Sequence, residues 1–152
     1  MGHTPQITGF DHQSRTRLVC GVHAADRAGE LTVSLGAGRA LLVTDRGLVA
    51  AGHAGRVTQS LRQAGLEVTV YDQVRENPTT ADVDAAVAVA RQAGVDVIVG
   101  LGGGSSLDTA KGCNFILTNG GRMADYWGVG KASKPMLPLV AIPTTAGTGS
   151  EC

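Results

Sequence analysis

Short, nearly unbroken apolar runs recur along this chain, at residues 40–44 (ALLVT), 95–100 (VDVIVG) and 139–143 (LVAIP), separated by stretches whose apolar residues fall at helical intervals. An unbroken run is the pattern of a strand covered on both faces, whereas a strand nearer a sheet edge alternates apolar and polar residues, as residues 66–71 (LEVTVY) do. Between the runs, residues 24–35 read as a helix ending at Gly36, and residues 45–64 as a helix stopped by Gly65. Thr79 and Asp82 have the spacing of a helix start, and Val83, Ala86, Val87 and Ala90 make an apolar stripe up to Gly94. Residues 105–117 give the last helix, and residues 119–135 a surface loop carrying the single tryptophan, Trp127. Asn77-Pro78 marks a turn, and residues 17–21 (RLVCG) read as one further short strand. Strands alternating with helices pair in parallel, because each crossover helix returns the chain to the same end of the sheet. The expectation is one α/β domain over residues 1–152, with a parallel sheet and helices on both faces.

Composition narrows what such a domain can do. Hydrophobic residues make up 43% and aromatics 3%, with 22 glycines, so the core is aliphatic and the turns are many and tight. Lys plus Arg and Asp plus Glu are both 13, which leaves no electrostatic footprint for nucleic acid. Cys20, Cys113 and Cys152 have no paired spacing, which favours reduced thiols and a cytoplasmic setting. No basic segment followed by an apolar one opens the chain, and residues 95–101, the longest apolar stretch, are too few to cross a bilayer. The length of 152 residues is short for an enzyme that grips both a dinucleotide and a substrate.

Two segments carry chemistry. The first runs from a strand through Gly102, Gly103 and Gly104 into Ser105 and a helix start. Successive glycines remove every Cβ, so a phosphate can approach the backbone. The helix behind them offers unpaired N–H groups and the positive end of its dipole, and Ser105 adds a hydroxyl. The other reading is a tight strand-to-helix turn and nothing more. The spacing departs from the ordinary dinucleotide fingerprint, since Ser105 stands where the third glycine belongs, and no Gly-Lys-Ser/Thr follows as a P-loop would require. The second segment, PTTAGTGSE at residues 143–151, gathers the hydroxyls of Thr144, Thr145, Thr148 and Ser150 on one turn after a strand. These can donate to phosphate or ribose oxygens without adding charge. A polar turn that caps its own helix accounts for Thr148 but poorly for Thr144 and Thr145. Ligands of parallel α/β sheets bind outside the carboxyl ends of the strands. Asp45, the Gly102–Ser105 turn and the Thr144–Thr148 turn each follow a strand directly, so a nucleotide laid along that shared rim is the reading of the residues themselves. Thr148 to Glu151 also has capping-box spacing, which announces a helix and leads us to expect a further part of the protein beyond residue 152.

GGGSSLDTAK (residues 102–111) and PTTAGTGSE (143–151), with VTD (43–45) upstream and NPT (77–79) between, resemble the iron-containing (group III) alcohol dehydrogenase family in order and spacing from about residue 15 onward. A wider superfamily, glycerol dehydrogenase and dehydroquinate synthase included, shares the glycine motif more loosely. The resemblance implies a Rossmann-like domain that binds NAD(P) and an all-helical C-terminal domain, absent from this chain, that supplies an Asp and three His to Fe2+ or another divalent metal. By the same resemblance Gly103, Gly104 and Ser105 contact the pyrophosphate, Thr144, Thr145 and Thr148 hold phosphate and nicotinamide ribose, and Asp45 faces the adenosine ribose. Asp108 and Lys111 match the motif, either as cofactor contacts or as an i,i+3 ion pair supporting the helix. A carboxylate accepts from a ribose 2′-OH and repels a 2′-phosphate, so Asp45 favours NAD over NADP, with Arg46 beside it weakening the argument.

Metal ligands and nucleophiles are not evident in these residues. His3, His12, His23 and His53 include no pair at i,i+3 or i,i+4 and read as surface or loop histidines, and Cys113 as a packed small hydrophobe. The full-length protein is expected to oxidise an alcohol or reduce an aldehyde with NAD, and residues 1–152 alone to be inactive. A stand-alone nucleotide-binding or regulatory module is the rival, as is a maleylacetate reductase or transhydrogenase type of enzyme on the same domain. No nucleic-acid or membrane partner is expected. Self-association is, because a domain separated from its neighbour exposes apolar surface.

Overall fold

A computed structural model describes residues 16–151. Four strands, β1 (Arg39–Val43), β2 (Glu67–Tyr71), β3 (Val97–Gly102) and β4 (Leu139–Pro143), form one parallel sheet in the order β2-β1-β3-β4. The two central strands are the unbroken apolar ones. Every residue of β3 is buried, as are four of five in β1, while β2 at the edge keeps Glu67 and Val70 exposed.

Side chains alternate across a strand, and two cores follow from that alternation. On one face Ala40, Leu42, Val97 and Val99 meet Ala28 of α1 (Ala28–Val33) and Ala54, Val57 and Leu61 of α3 (His53–Gln63). On the other Leu41, Val43 and Ile98 meet Val83, Ala86, Val87 and Ala90 of α4 (Thr80–Ala93) and Ala110, Cys113 and Ile116 of α5 (Gly104–Asn119). Helices therefore cover both faces, the arrangement called Rossmann-like. The stripe of α4 is buried as its spacing requires. Its start is closed by the capping box, with the Thr79 N–H donating to Asp82 Oδ2 at 2.7 Å.

The structure corrects three sequence expectations. Residues 17–21 form no strand. No neighbouring strand pairs with them among the described residues, and Leu18 is 86% exposed, so a β-like composition had nothing to hydrogen-bond. The helix expected over 45–64 is two, α2 (Arg46–Ala50) and α3, because Gly52 at φ 83° breaks the ladder between them. The helix expected over 24–35 starts as a 3-10 turn, Ala24–Arg27, before α1. Within the 119–135 loop a second 3-10 turn, Met123–Tyr126, sets the Tyr126 ring edge-on to Phe115 at 4.7 Å between centroids. The buried Asn114 side chain ties α5 to the loop's far end, bonding Leu137 through both its N–H and its carbonyl at 3.0 and 2.9 Å. Expectations for His3, His12 and Cys152 lie outside the described residues.

Candidate functional site

From β1 the chain moves outward to β2, and from β3 it moves outward the other way to β4. Strand order thus reverses between β1 and β3, and an open α/β sheet forms its binding crevice where that happens. The register places Val43 opposite Gly100, so Asp45 and the glycine turn leave neighbouring strands at the same rim. A cavity of about 890 Å³ lies there, lined by Asp45 and Arg46, by Gly103, Gly104, Ser105 and Ser106, by residues 72–76, and by Ala81, Asp82 and Ala85 of α4.

Each part of the glycine turn has a distinct task. Gly102, at φ 146°, is buried beneath the turn, and a Cβ there would stand 2.5 Å from Ser106 Oγ. Gly103 caps α5 but has no side chain with which to close it, in contrast to Thr79 on α4. Ser106 and Leu107 N–H groups bond back to the Gly103 carbonyl at 3.1 and 3.2 Å. The N–H groups of Gly104 and Ser105 have no carbonyl within the helix to reach, as at every helix start. A sixteen-residue helix therefore opens on the cavity with its first amides and its positive dipole end uncapped. A Cβ on Gly103 would make only ordinary contacts, at 3.5 Å from Thr145 Oγ1, so the protein itself leaves room there.

Charge around the cavity is mixed. Asp45 spends one oxygen on capping α2, accepting from the Leu48 N–H at 3.0 Å, and its backbone bridges to Gln73 in the next loop. Arg75 from that loop donates to the buried Asp82 at 2.8 Å. The Thr79 backbone N–H, then the Thr79 hydroxyl and Arg75, hold the Asp82 carboxyl below its usual value of 3.8. Burial, helped by the Asp82 charge, raises the Tyr71 phenol, which donates to the Asp82 carbonyl at 3.3 Å. In the core on the same face of the sheet as Tyr71, Cys113 is pushed up to about 12 by burial, the behaviour of a packed thiol.

The threonine turn docks against the glycine turn. The Thr144 N–H donates to the Gly102 carbonyl at 2.9 Å, Thr145 adjoins Gly103, and Thr148 adjoins Gly104. Thr144, Thr145 and Thr148 are exposed and flank the turn without lining the cavity itself. Thr148 Oγ1 bonds Glu151 Oε2 at 3.2 Å and accepts from the Ser150 N–H at 3.3 Å. Asp108 stands apart. It lies exposed one turn along α5 and opens on a second groove of about 2200 Å³ shared with Pro78, Thr79 and Lys111. Asp45, Gly103, Gly104 and Ser105 thus meet in one cavity, Gly102 supports them from below, and the threonines border them.

Sequence reasoning passed over residues 72–76, Ser106 and the small α4 residues Ala81 and Ala85. The signal for the loop was present, because β2 is also a parallel strand and its carboxyl end must reach the same rim. Among the described residues, no three of His, Cys, Asp and Glu gather as a metal would require, and no helix is long and apolar enough to cross a membrane.

The chain is similar to proteins that work on alcohols and aldehydes. It is 43% identical over 133 residues to the NAD-dependent methanol dehydrogenase of Bacillus methanolicus, covering 88% of this chain and 35% of that protein. It is 46% identical over 121 residues to 4-hydroxybutyrate dehydrogenase of Cupriavidus necator, covering 77% and 31%. Among solved structures, 1,3-propanediol oxidoreductase superposes with a TM-score of 0.81 at 41% identity, over 85% of this chain and 34% of that one. Sulfoacetaldehyde reductase from Bifidobacterium kashiwanohense, in complex with NAD+, does so with a TM-score of 0.75 at 34% identity, over 85% and 34%. The chain spans about a third of the length of the curated relatives it matches. The model of the family described as iron-containing alcohol dehydrogenase matches residues 15–152, and with the rim geometry above this leads to one conclusion: the chain belongs to the iron-containing alcohol dehydrogenase family.

Proposed function

We propose that this chain binds NAD across the β1/β3 rim and positions it for an enzyme that moves hydride between an alcohol or aldehyde and the nicotinamide. The observation that carries the reading is the uncapped start of α5, whose Gly103, Gly104 and Ser105 line the cavity with no Cβ on the two glycines. The Gly104 and Ser105 amides and the Ser105 hydroxyl receive the pyrophosphate, which sits at the positive end of the helix dipole. Asp45 keeps one oxygen free of the α2 cap for a ribose hydroxyl, and Thr144, Thr145 and Thr148 border the path toward the nicotinamide half. Bound NAD supplies the hydride acceptor, and what these residues contribute is its orientation and affinity. The substrate is a small alcohol or aldehyde, as the relatives' names suggest. Among the described residues no three of His, Cys, Asp and Glu gather to hold the iron of the family name.

Calorimetric titration of the chain with NAD tests this reading. Gly103→Ala should leave the melting temperature within a degree or two, because the added methyl meets nothing closer than 3.5 Å. It should weaken NAD binding at least about ten-fold, because that methyl stands where a phosphate must touch the backbone. An unchanged affinity in a folded Gly103→Ala variant would remove the phosphate from this turn.

A further inference from the structure

One contact at the cavity mouth crosses between elements far apart in sequence. Ser105 Oγ, at the start of α5, accepts a hydrogen bond from the backbone N–H of Asn77 at 3.3 Å. Asn77 lies in the loop between β2 and α4, and it is one of two non-glycine residues with positive φ among those described, at 52°. L-residues avoid this left-handed region, and asparagine is among the few side chains that tolerate it. The flanking residues leave the loop little choice. Pro78 follows directly and disfavours a helical Asn77. Thr79 and Asp82 close the capping box immediately after, and Arg75 is held on the same Asp82 from the other side. The loop is thus clamped on both sides of Asn77, and the strained residue is the one that turns its amide toward Ser105.

We infer that Asn77 is a positioning residue for the Ser105 hydroxyl, acting through its backbone N–H and left-handed conformation and not through contact of its amide side chain with the cofactor. A hydroxyl has one proton to give and two lone pairs to receive. With one lone pair taken by the Asn77 N–H, the hydroxyl's own proton turns away from that donor and is available to an acceptor in the cavity that Ser105 lines. Accepting one bond also polarises the O–H, so it donates more strongly to an anionic oxygen. Asn77 thereby converts Ser105 from a freely rotating hydroxyl into an oriented donor. The inference rests on the NAD reading above and deepens it.

A double-mutant cycle on NAD affinity separates the two. Ser105→Ala should weaken NAD binding about three- to ten-fold, the worth of one hydrogen bond to a charged group. Asn77→Ala, which disfavours positive φ, should weaken it by a similar or smaller factor, and the double variant should be no weaker than Ser105→Ala alone. Asn77→Gly restores access to positive φ without the side chain and should bind NAD as the parent does, with a melting temperature matching or exceeding it. Additive losses in the double variant would overturn the inference while leaving the NAD reading intact. Equal losses in Asn77→Gly and Asn77→Ala would also overturn it, since the amide side chain itself would then be the contact. Failure of the parent chain to bind NAD would overturn both. Should Asn77→Ala fail to fold, the Ser105→Ala and Asn77→Gly comparison still decides, because a loss in Asn77→Gly that persists beside Ser105→Ala contradicts a role through Ser105.

Discussion

At the scale of single residues, the candidate site is built from groups that serve the fold while lining the cavity. Asp45 caps α2 with one oxygen and lines the cavity. Replacing it by Asn keeps a capping side chain and removes only the charge, so Asp45→Asn isolates the electrostatic part of cofactor choice. We expect the parent to prefer NAD to NADP and Asp45→Asn to narrow the ratio of dissociation constants about ten-fold, by easing repulsion of a 2′-phosphate. Titrating both dinucleotides into both proteins checks it, and an unaltered ratio would take Asp45 out of the ribose site. Gly102 and Gly103, adjacent and alike in sequence, are different constraints. One is required by its φ of 146° and by Ser106 at 2.5 Å, whereas the fold itself leaves room for a side chain at the other, so that only the proposed phosphate would constrain it. No pattern of letters distinguishes them.

At the scale of elements, the legibility of the chain follows how local each signal is. The capping box of α4 was readable from Thr79 and Asp82 because both partners lie within one turn. The pH response of that helix follows from the same pair. Asp82 titrates below 3.8 in the folded state, so its stabilisation is fully present above the unfolded value near 3.8 and is lost as pH falls through the folded one. Asp82→Asn should therefore melt lower than the parent at neutral pH, and by more than Asp84→Asn on the exposed side of the same helix. The gap should hold down to about pH 3.8 and close below it. Melting curves across that range measure it, and a gap that widened in acid would contradict the assignment. The strand expected at residues 17–21 failed for the opposite reason, since a strand exists only where a neighbour supplies its ladder, and none does among the described residues. The break between α2 and α3 at Gly52 was missed because Val57, Leu61 and Ala64 set a clear helical spacing after it and Leu48 was read into the same helix, although nine residues from Leu48 to Val57 are half a turn out of phase.

At the scale of the molecule, parallel topology explains why distant segments converge. Asp45, residues 72–76, the glycine turn and the threonine turn all follow strands, so one rim collects them. A rim of this kind suits the dinucleotide proposed above, and its part in the proposed reaction is to bind and orient that cofactor. We therefore expect the purified 152-residue chain to bind NAD and to show no alcohol-dependent NADH formation at 340 nm. Measurable turnover by the chelator-treated chain would show that its own residues carry the chemistry.

By themselves the residues determined the class of fold, because strand and helix periods and the glycine and hydroxyl turns are short-range signals set by backbone geometry. They determined the members of the rim too, since every loop that follows a parallel strand must emerge at the same end. Only the tertiary structure decided which members share the cavity. It placed Asp108 on another groove, set the threonines beside the turn, brought residues 72–76 against Asp45, and turned the Asn77 amide onto Ser105. Those outcomes depend on strand register and on contacts between residues 28 or more positions apart, which no local pattern encodes.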